Sequence, residues 1–268
     1  MFDEMKRRKL IGDILKDKVA RKDFDMYYQP IISVKTGQFL YAESLVRILD
    51  SSIGPIMPSE FIPIAEESGL IIDMTYSILD MVCHFVHQLI EQGIPTNCIH
   101  VNFSALQFKQ PLLATKVLEI INRNQIPCST IKIEFTESTI ADNLETVTSF
   151  ANEMKKHDIL MGLDDFGTGY SNLSSVISIP FNTIKIDKSL VWTAMQEEKY
   201  ALTLKNLVRV FKDLGMTIVA EGVETKEQND FIIASGVDQI QGFYYAKPMP
   251  QDQFIKFLKE KQTKPIEE

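Results

Sequence analysis

Eight polar residues, Glu43, Asn102, Glu134, Asp164, Asp165, Lys185, Glu221 and Gln241, each stand at or just past the end of a short apolar run. The runs are 39–42, 99–101, 131–133, 159–163, 183–186, 217–220 and 237–240. One polar residue at the end of a strand is ordinary, and for any single carboxylate a helix cap or a solvated loop is the plain reading. The same placement along the whole chain implies that several strands deliver their C-terminal ends to one point. The five carboxylates there carry −5, and Lys185 leaves −4. Such a group cannot stay ionised without compensation. Two divalent cations bring the sum to zero, and a donor set without His or Cys selects Mg²⁺ or Mn²⁺ over Zn²⁺. The adjacent pair Asp164 and Asp165 suits two ions, one carboxylate bridging and the other holding one. Two such ions about 3.5–4 Å apart are an arrangement that cleaves phosphate esters. A lysine among these carboxylates reads as a catalytic or substrate-handling group.

Strands must hold these residues. Met26–Ser33 and Gln38–Arg47 read as an antiparallel hairpin turning at Lys35, Thr36 and Gly37. Helices are expected over 58–68 and 73–92. Strands over 98–103, 131–136, 159–164, 183–186, 216–221 and 237–240 then alternate with helices over 111–124, 144–156, 172–178, 226–234 and 251–260. One long helix is expected within 190–214. Repeated strand–helix units make parallel strands with right-handed crossovers. The strands are rich in Ile and Val, as strands covered on both faces are. No GxGxxG follows an early strand, so a dinucleotide fold has no support. A closed ring gathers all eight strand ends, whereas an open sheet spreads them, and barrel chemistry sits at those ends. The expected fold is a TIM-type (β/α)8 barrel with one antiparallel strand from the N-terminal hairpin.

A barrel needs roughly 250 residues, which nearly exhausts the 268 present. Apolar and charged fractions of 45% and 24% are those of an ordinary globule. The expected division is an N-terminal helix over 1–23, a barrel over 24–260 and a tail over 261–268. Met5, Leu10, Ile11, Ile14, Leu15 and Val19 mark one face of the first helix, which reads as resting on the barrel or as a linker from an upstream domain. The net charge of −8 argues against a nucleic-acid polymer as partner. Cys83, Cys98 and Cys128 are odd in number without CxxC spacing, which suits reduced thiols. No apolar stretch approaches the roughly 18 residues of a membrane span, and the charged N-terminus lacks a signal core. A cytoplasmic protein is expected.

Asp165-Phe166-Gly167 matches a kinase triplet, but no His-Arg-Asp or Gly-rich loop accompanies it. The glycines of Asp165-Phe166-Gly167-Thr168-Gly169 either form turns or let the loop close over a ligand. His84, His87, His100 and His157 read as surface or packing residues; His84 and His87 do not form HExxH.

Taken in order, Tyr28-Gln29-Pro30-Ile31, Glu43-Ser44-Leu45-Val46-Arg47, Val101-Asn102-Phe103-Ser104 and Ile133-Glu134-Phe135-Thr136-Glu137-Ser138 resemble the EAL-domain family of cyclic-di-GMP phosphodiesterases. So do Asp164 through Ser171, Lys185-Ile186-Asp187, Ala220-Glu221-Gly222-Val223-Glu224 and Gln241-Gly242. The resemblance runs from about residue 24 to 260. It implies two-metal hydrolysis of cyclic di-GMP to linear pGpG, ending or tuning a bacterial second-messenger signal. It makes Glu43, Asn102, Glu134 and Asp164 ligands of a first metal, and Asp164, Asp165 and Glu221 ligands of a second. Lys185 is the counterpart of the residue that contacts the attacking water or serves as its base, with Gln241 in the same water network. Gln29, Val46 and Arg47 become substrate contacts, Arg47 suiting a phosphate oxygen. Glu137 becomes the anchor of the 165–172 loop, including Phe166, Gly167, Thr168 and Gly169, which in the family links the active site to a dimer contact. A homodimer and an upstream GGDEF or sensory domain are implied partners. Ser44 replaces the family's alanine, and strand alternation turns it away from the face of Glu43. Phe103 and Phe135 are packing variations. Ca²⁺, with longer bonds and higher coordination, is expected to occupy the site yet inhibit turnover. The competing readings are a receptor that binds cyclic di-GMP without cleaving it, and an enzyme for another phosphodiester.

Overall fold

The computed structural model describes residues 2–50, 52–168 and 173–262. The whole 169–172 part of the loop, Gly169 included, and the tail from 263 lie outside the described residues. Helix α1 (Phe2–Arg21) leads into strands β1 (Asp25–Ser33) and β2 (Tyr41–Asp50). A short β3 (Gly54–Ile56), α2 (Pro58–Glu67) and α3 (Ile71–Glu91) come next. The alternation then runs β4 (Cys98–Asn102), α4 (Leu113–Arg123), β5 (Ile131–Thr136), α5 (Glu137–Lys156), β6 (Leu160–Phe166), α6 (Leu173–Ser178) and β7 (Thr183–Ile186). It closes with α7 (Lys188–Gln196), α8 (Glu198–Asp213), β8 (Thr217–Ala220), α9 (Lys226–Ala234), β9 (Gln239–Gln241), β10 (Met249–Pro250) and α10 (Gln251–Gln262).

The ring order is β1, β2, β4, β5, β6, β7, β8, β9 and back to β1. β1 runs antiparallel to both neighbours, Gln29 facing Glu43 on β2 and Ile31 facing Gln241 on β9. The remaining ring neighbours are parallel. The fold is therefore the TIM-type barrel with one antiparallel strand. Two short strands absent from the sequence reading, β3 and β10, extend β2 and β1 outside the ring.

Local chemistry sets the helix starts. Asp187 accepts from Ser189 N at 2.8 Å and opens α7. Thr225 and Gln228 form a reciprocal capping box for α9. Three boundaries differ from expectation. The helix expected within 190–214 is two helices, because Glu197 is extended (φ −129°, ψ 119°) and both ends one helix and caps the next. The helix expected from 144 begins at Glu137 and breaks at Asn143 (φ −141°, ψ 30°), near the expected start. β2 begins at Tyr41 rather than Gln38: after the Gly37 turn (φ 64°) Ser33 N donates to the Gln38 carbonyl, but the regular β1–β2 ladder starts only at Ile31 and Tyr41.

Ser44 is buried, and its hydroxyl donates to the His100 carbonyl at 2.7 Å, tying β2 to β4. Phe135 packs on Phe108 and Phe181 at 5.0 and 5.3 Å, and Phe103 is buried beside Phe150. Ile11 and Leu15 of α1 are buried, while Met5 and Leu10 of the same expected stripe are exposed. Arg7 meets Glu60 of α2 at 2.7 Å and Arg8 pairs with Glu67, so α1 rests on the barrel's α2 side. Cys83, Cys98 and Cys128 are free. Among the described residues no helix is long and apolar enough to cross a membrane.

Candidate active site

The strands of a barrel are tilted, so residues that share its rim step along the register from strand to strand. Glu43 pairs with His100, Asn102 with Glu134, Thr136 with Asp164, and Ile186 with Ala220. The layer at the C-terminal rim thus collects residues from β2, β4, β5, β6, β7 and the residue after β8. Lys185 occupies its centre and is fully buried. Its Nζ lies 2.7 Å from Glu221 Oε1, 3.0 Å from Asp164 Oδ1, 3.1 Å from Glu134 Oε2 and 3.2 Å from Glu43 Oε2. Glu43 also accepts from Asn102 Nδ2 and Gln241 Nε2, both at 2.7 Å. Gln241 donates as well to Gln29 Oε1 at 3.0 Å, and Gln29 donates to the Ala246 carbonyl at 3.2 Å.

Neighbours on a regular strand point to opposite faces, so Asp164 and Asp165 should not both reach the rim. The β6–β7 register shifts between Leu163 and Phe166, and Asp165 is left-handed at φ 56°. This irregularity brings both carboxylates to one side, where Asp164, Asp165 and Glu221 form one oxygen group and Glu43, Glu134 and Asp164 another. The loop beyond is tethered: Gly167 N donates to Glu137 Oε1 at 3.0 Å. Gly167 has φ 104°, and a Cβ there would come within 2.9 Å of Leu190. Phe166 is buried edge-on against Phe211 at 5.1 Å. Thr168 donates to the Asp165 carbonyl, closing the described part of the loop. Arg47, on the Glu43 face of β2, is half-buried, lies 5.6 Å over the Tyr27 ring and donates to the carbonyl of the half-buried Val46 at 2.9 Å.

Desolvation and crowding pull the carboxylates apart in acidity. Burial opposes the ionisation of Glu43, but Lys185 and the Gln241 and Asn102 donors outweigh it and hold it down at about 2. Burial pushes Asp164 and Asp165 up to about 6, neighbouring carboxylates adding to the shift. Burial raises Glu134, and raises Glu221 well above the usual carboxylate range. Burial alone would depress Lys185, yet Asp164, Glu134, Glu221 and Glu43 keep its ammonium strongly charged.

Two further polar residues join the site without belonging to any motif. His100, expected to be unremarkable, and Lys132 are buried inside the barrel just beneath the rim. Each stands two positions before a rim residue, Asn102 and Glu134, and the two-residue strand period alone would have pointed both inward. The charge count from sequence accordingly omitted one buried cation.

The donor set fits hard divalent cations. It consists of oxygens, in two groups within each of which the ligand atoms lie within 4.8 Å of one another, and the buried Glu134 Oε2 and Asp164 Oδ1 face only the Lys185 ammonium. Fold and rim together define a TIM-type barrel carrying an acidic site at the C-terminal ends of its strands. The chain belongs to the EAL domain family, whose model matches residues 13–248. It is 34% identical over 234 residues to the cyclic di-GMP phosphodiesterase PdeL of Escherichia coli, covering 87% of this chain and 64% of PdeL. It is 32% identical to the signaling protein YkoW of Bacillus subtilis, covering 91% of this chain and 30% of YkoW. The chain spans about a third of the length of the first curated relatives it matches. A solved structure of the MucR phosphodiesterase with c-di-GMP superimposes with a TM-score of 0.86 at 30% identity, covering 91% of this chain and 99% of that one. An EAL domain protein from Listeria monocytogenes does so at 0.78 and 25%, covering 90% and 94%.

Proposed function

We propose that this chain hydrolyses cyclic di-GMP to linear pGpG with two Mg²⁺ or Mn²⁺ ions at the rim. The observation that carries the reading is the convergence of Glu43, Glu134, Asp164 and Glu221 on one buried lysine, within 2.7–3.2 Å. The likeness to PdeL and MucR supplies the substrate class. Glu43, Asn102, Glu134 and Asp164 would hold the first ion, and Asp164, Asp165 and Glu221 the second. Bound divalent ions would polarise the phosphate and lower the pKa of a bound water.

The chain's own residues do the rest. Arg47 offers a planar pair of donors to a phosphate oxygen, Gln29 lines the approach on β1, and Val46, whose side chain alternation turns the other way, would contribute through its backbone. Lys185 holds its proton while its four carboxylate neighbours are free to face it. Once those carboxylates are engaged elsewhere the hold weakens, and the amine can orient the attacking water or take its proton. Gln241 fixes Glu43 and Gln29 around that water. Glu137, by gripping the Gly167 amide, transmits loop position to the rim, and a homodimer contact acting through the loop is the regulation we infer. An upstream GGDEF or sensory domain is in keeping with how small a part of its relatives the chain spans.

The test is incubation with cyclic di-GMP and each metal, with products separated by chromatography. Conversion to pGpG that stops with excess EDTA is the expected result. Binding without pGpG under every metal condition would make the chain a receptor instead, and cleavage of other phosphodiesters only would move the substrate.

A further inference from the structure

Beneath the rim the barrel interior is polar where β4 meets β5. His100 and Lys132 pair in register there, and both are buried with Glu134. Lys132 Nζ lies 3.1 Å from His100 Nε2, and His100 Nδ1 lies 2.8 Å from Glu134 Oε1. The imidazole thus stands between an ammonium and a carboxylate. An ammonium has only donors and an ionised carboxylate only acceptors. One state of the ring satisfies both: Nε2 bare and accepting, Nδ1 protonated and donating. The opposite tautomer would set donor against donor and lone pair against lone pair, and a doubly protonated ring would aim an N–H at the ammonium.

Neither His100 Nδ1 nor Glu134 Oε1 has another hydrogen-bond partner. The two atoms face each other at 2.8 Å with no competing partner. Gly162 on β6 makes room for the arrangement. A Cβ there would stand 3.0 Å from Glu134 Cγ and Oε1 and 3.4 Å from Lys132 Cδ. A side chain at 162 would push on the carboxylate and the lysine together.

We propose that His100, fixed as the Nδ1-protonated tautomer by Lys132, is a positioning residue for Glu134. It takes up Oε1 and leaves Oε2, 3.1 Å from Lys185, turned to the rim as the oxygen that meets a cation. The proposal rests on the reading of Glu134 as a metal ligand. Partners of this kind behind a ligating carboxylate typically change metal affinity 10–100-fold when removed.

Two measurements decide it. The first is long-range ¹H–¹⁵N NMR of the metal-free, unaltered chain, with the His100 signals assigned by their loss in His100→Asn. A protonated Nδ1 with a bare Nε2 is expected, and an Nε2–H or doubly protonated ring overturns the proposal. The second is calorimetric Mn²⁺ binding. His100→Ala should weaken affinity about tenfold or more. His100→Asn, whose side-chain amide can donate from near the place of Nδ1, should recover most of it. His100→Ala binding as tightly as the unaltered chain, or His100→Asn losing as much as alanine, overturns the proposal. Equal binding by all three chains sinks this inference and leaves the metal reading standing. Failure of the unaltered chain to take up Mn²⁺ sinks both. The tautomer is read on the unaltered chain, so a His100→Ala protein that does not fold leaves the proposal open to refutation.

Discussion

Lys185 is the residue on which the rim's electrostatics turn. Without it, the carboxylates of Glu43, Glu134, Asp164 and Glu221 lose their shared buried partner. Breaking a buried charge arrangement by removing one partner costs about 3–5 kcal/mol. Lys185→Met in the metal-free chain should lose that much stability near neutral pH and less in acid, where the carboxylates are protonated. Urea melts at the two pH values check this, and a loss equal at both contradicts it. The raised Asp164 and Asp165, each at about 6, make a second prediction. A ligand must shed its proton before it binds a cation, so below about pH 6 protons compete with metal. Mn²⁺ affinity should fall as pH drops through that point, by calorimetry in buffers of differing pH. Affinity unchanged well below pH 6 would contradict the assignment of these two groups.

The strands and the first helix carry a different burden. β1 closes the ring by pairing antiparallel on both sides, and the helix α1 covers α2 with Ile11 and Leu15. Leu15 is fully buried, so Leu15→Ala removes packed methyl groups and leaves a cavity. The expected cost is about 2–5 kcal/mol, read from denaturant midpoints. A change under about 0.5 kcal/mol, as at ordinary surface sites, would mean that α1 does not pack there in solution. The strands of the sequence reading were found because period and turn residues are local signals. The break between α7 and α8 was not, because Glu197 has ordinary helix-compatible chemistry and only its backbone conformation ends the helix.

For the whole molecule the question is which cation works. The rim offers two oxygen groups sharing Asp164, a compact arrangement that suits small ions. Ca²⁺ prefers longer bonds and more ligands. It should compete for the site and suppress turnover supported by Mg²⁺ or Mn²⁺, in a chromatographic assay with rising Ca²⁺. Turnover with Ca²⁺ equal to that with Mg²⁺ would count against a close-set pair.

The sequence by itself determined that Glu134, Asp164, Lys185, Glu221 and Gln241 sit at or near strand ends; Glu43, third of the ten residues of β2, instead stands where β2 stops pairing with β4. It also determined that the strands are mostly parallel, since a repeated strand–helix rhythm leaves few other ways to pack. Together with a closed ring, those two facts gather the residues on one rim, because the C-terminal ends of parallel strands in a barrel are neighbours whatever their separation along the chain. Only the tertiary structure decided which atoms meet. Asp165 faces the site through a left-handed backbone and a register shift that depend on β7 beside it. His100 and Lys132 meet because β4 and β5 align in one register, and Gly162 of β6 leaves the room for it. Register and ring closure are properties of strands in contact, and no single strand's residues specify them.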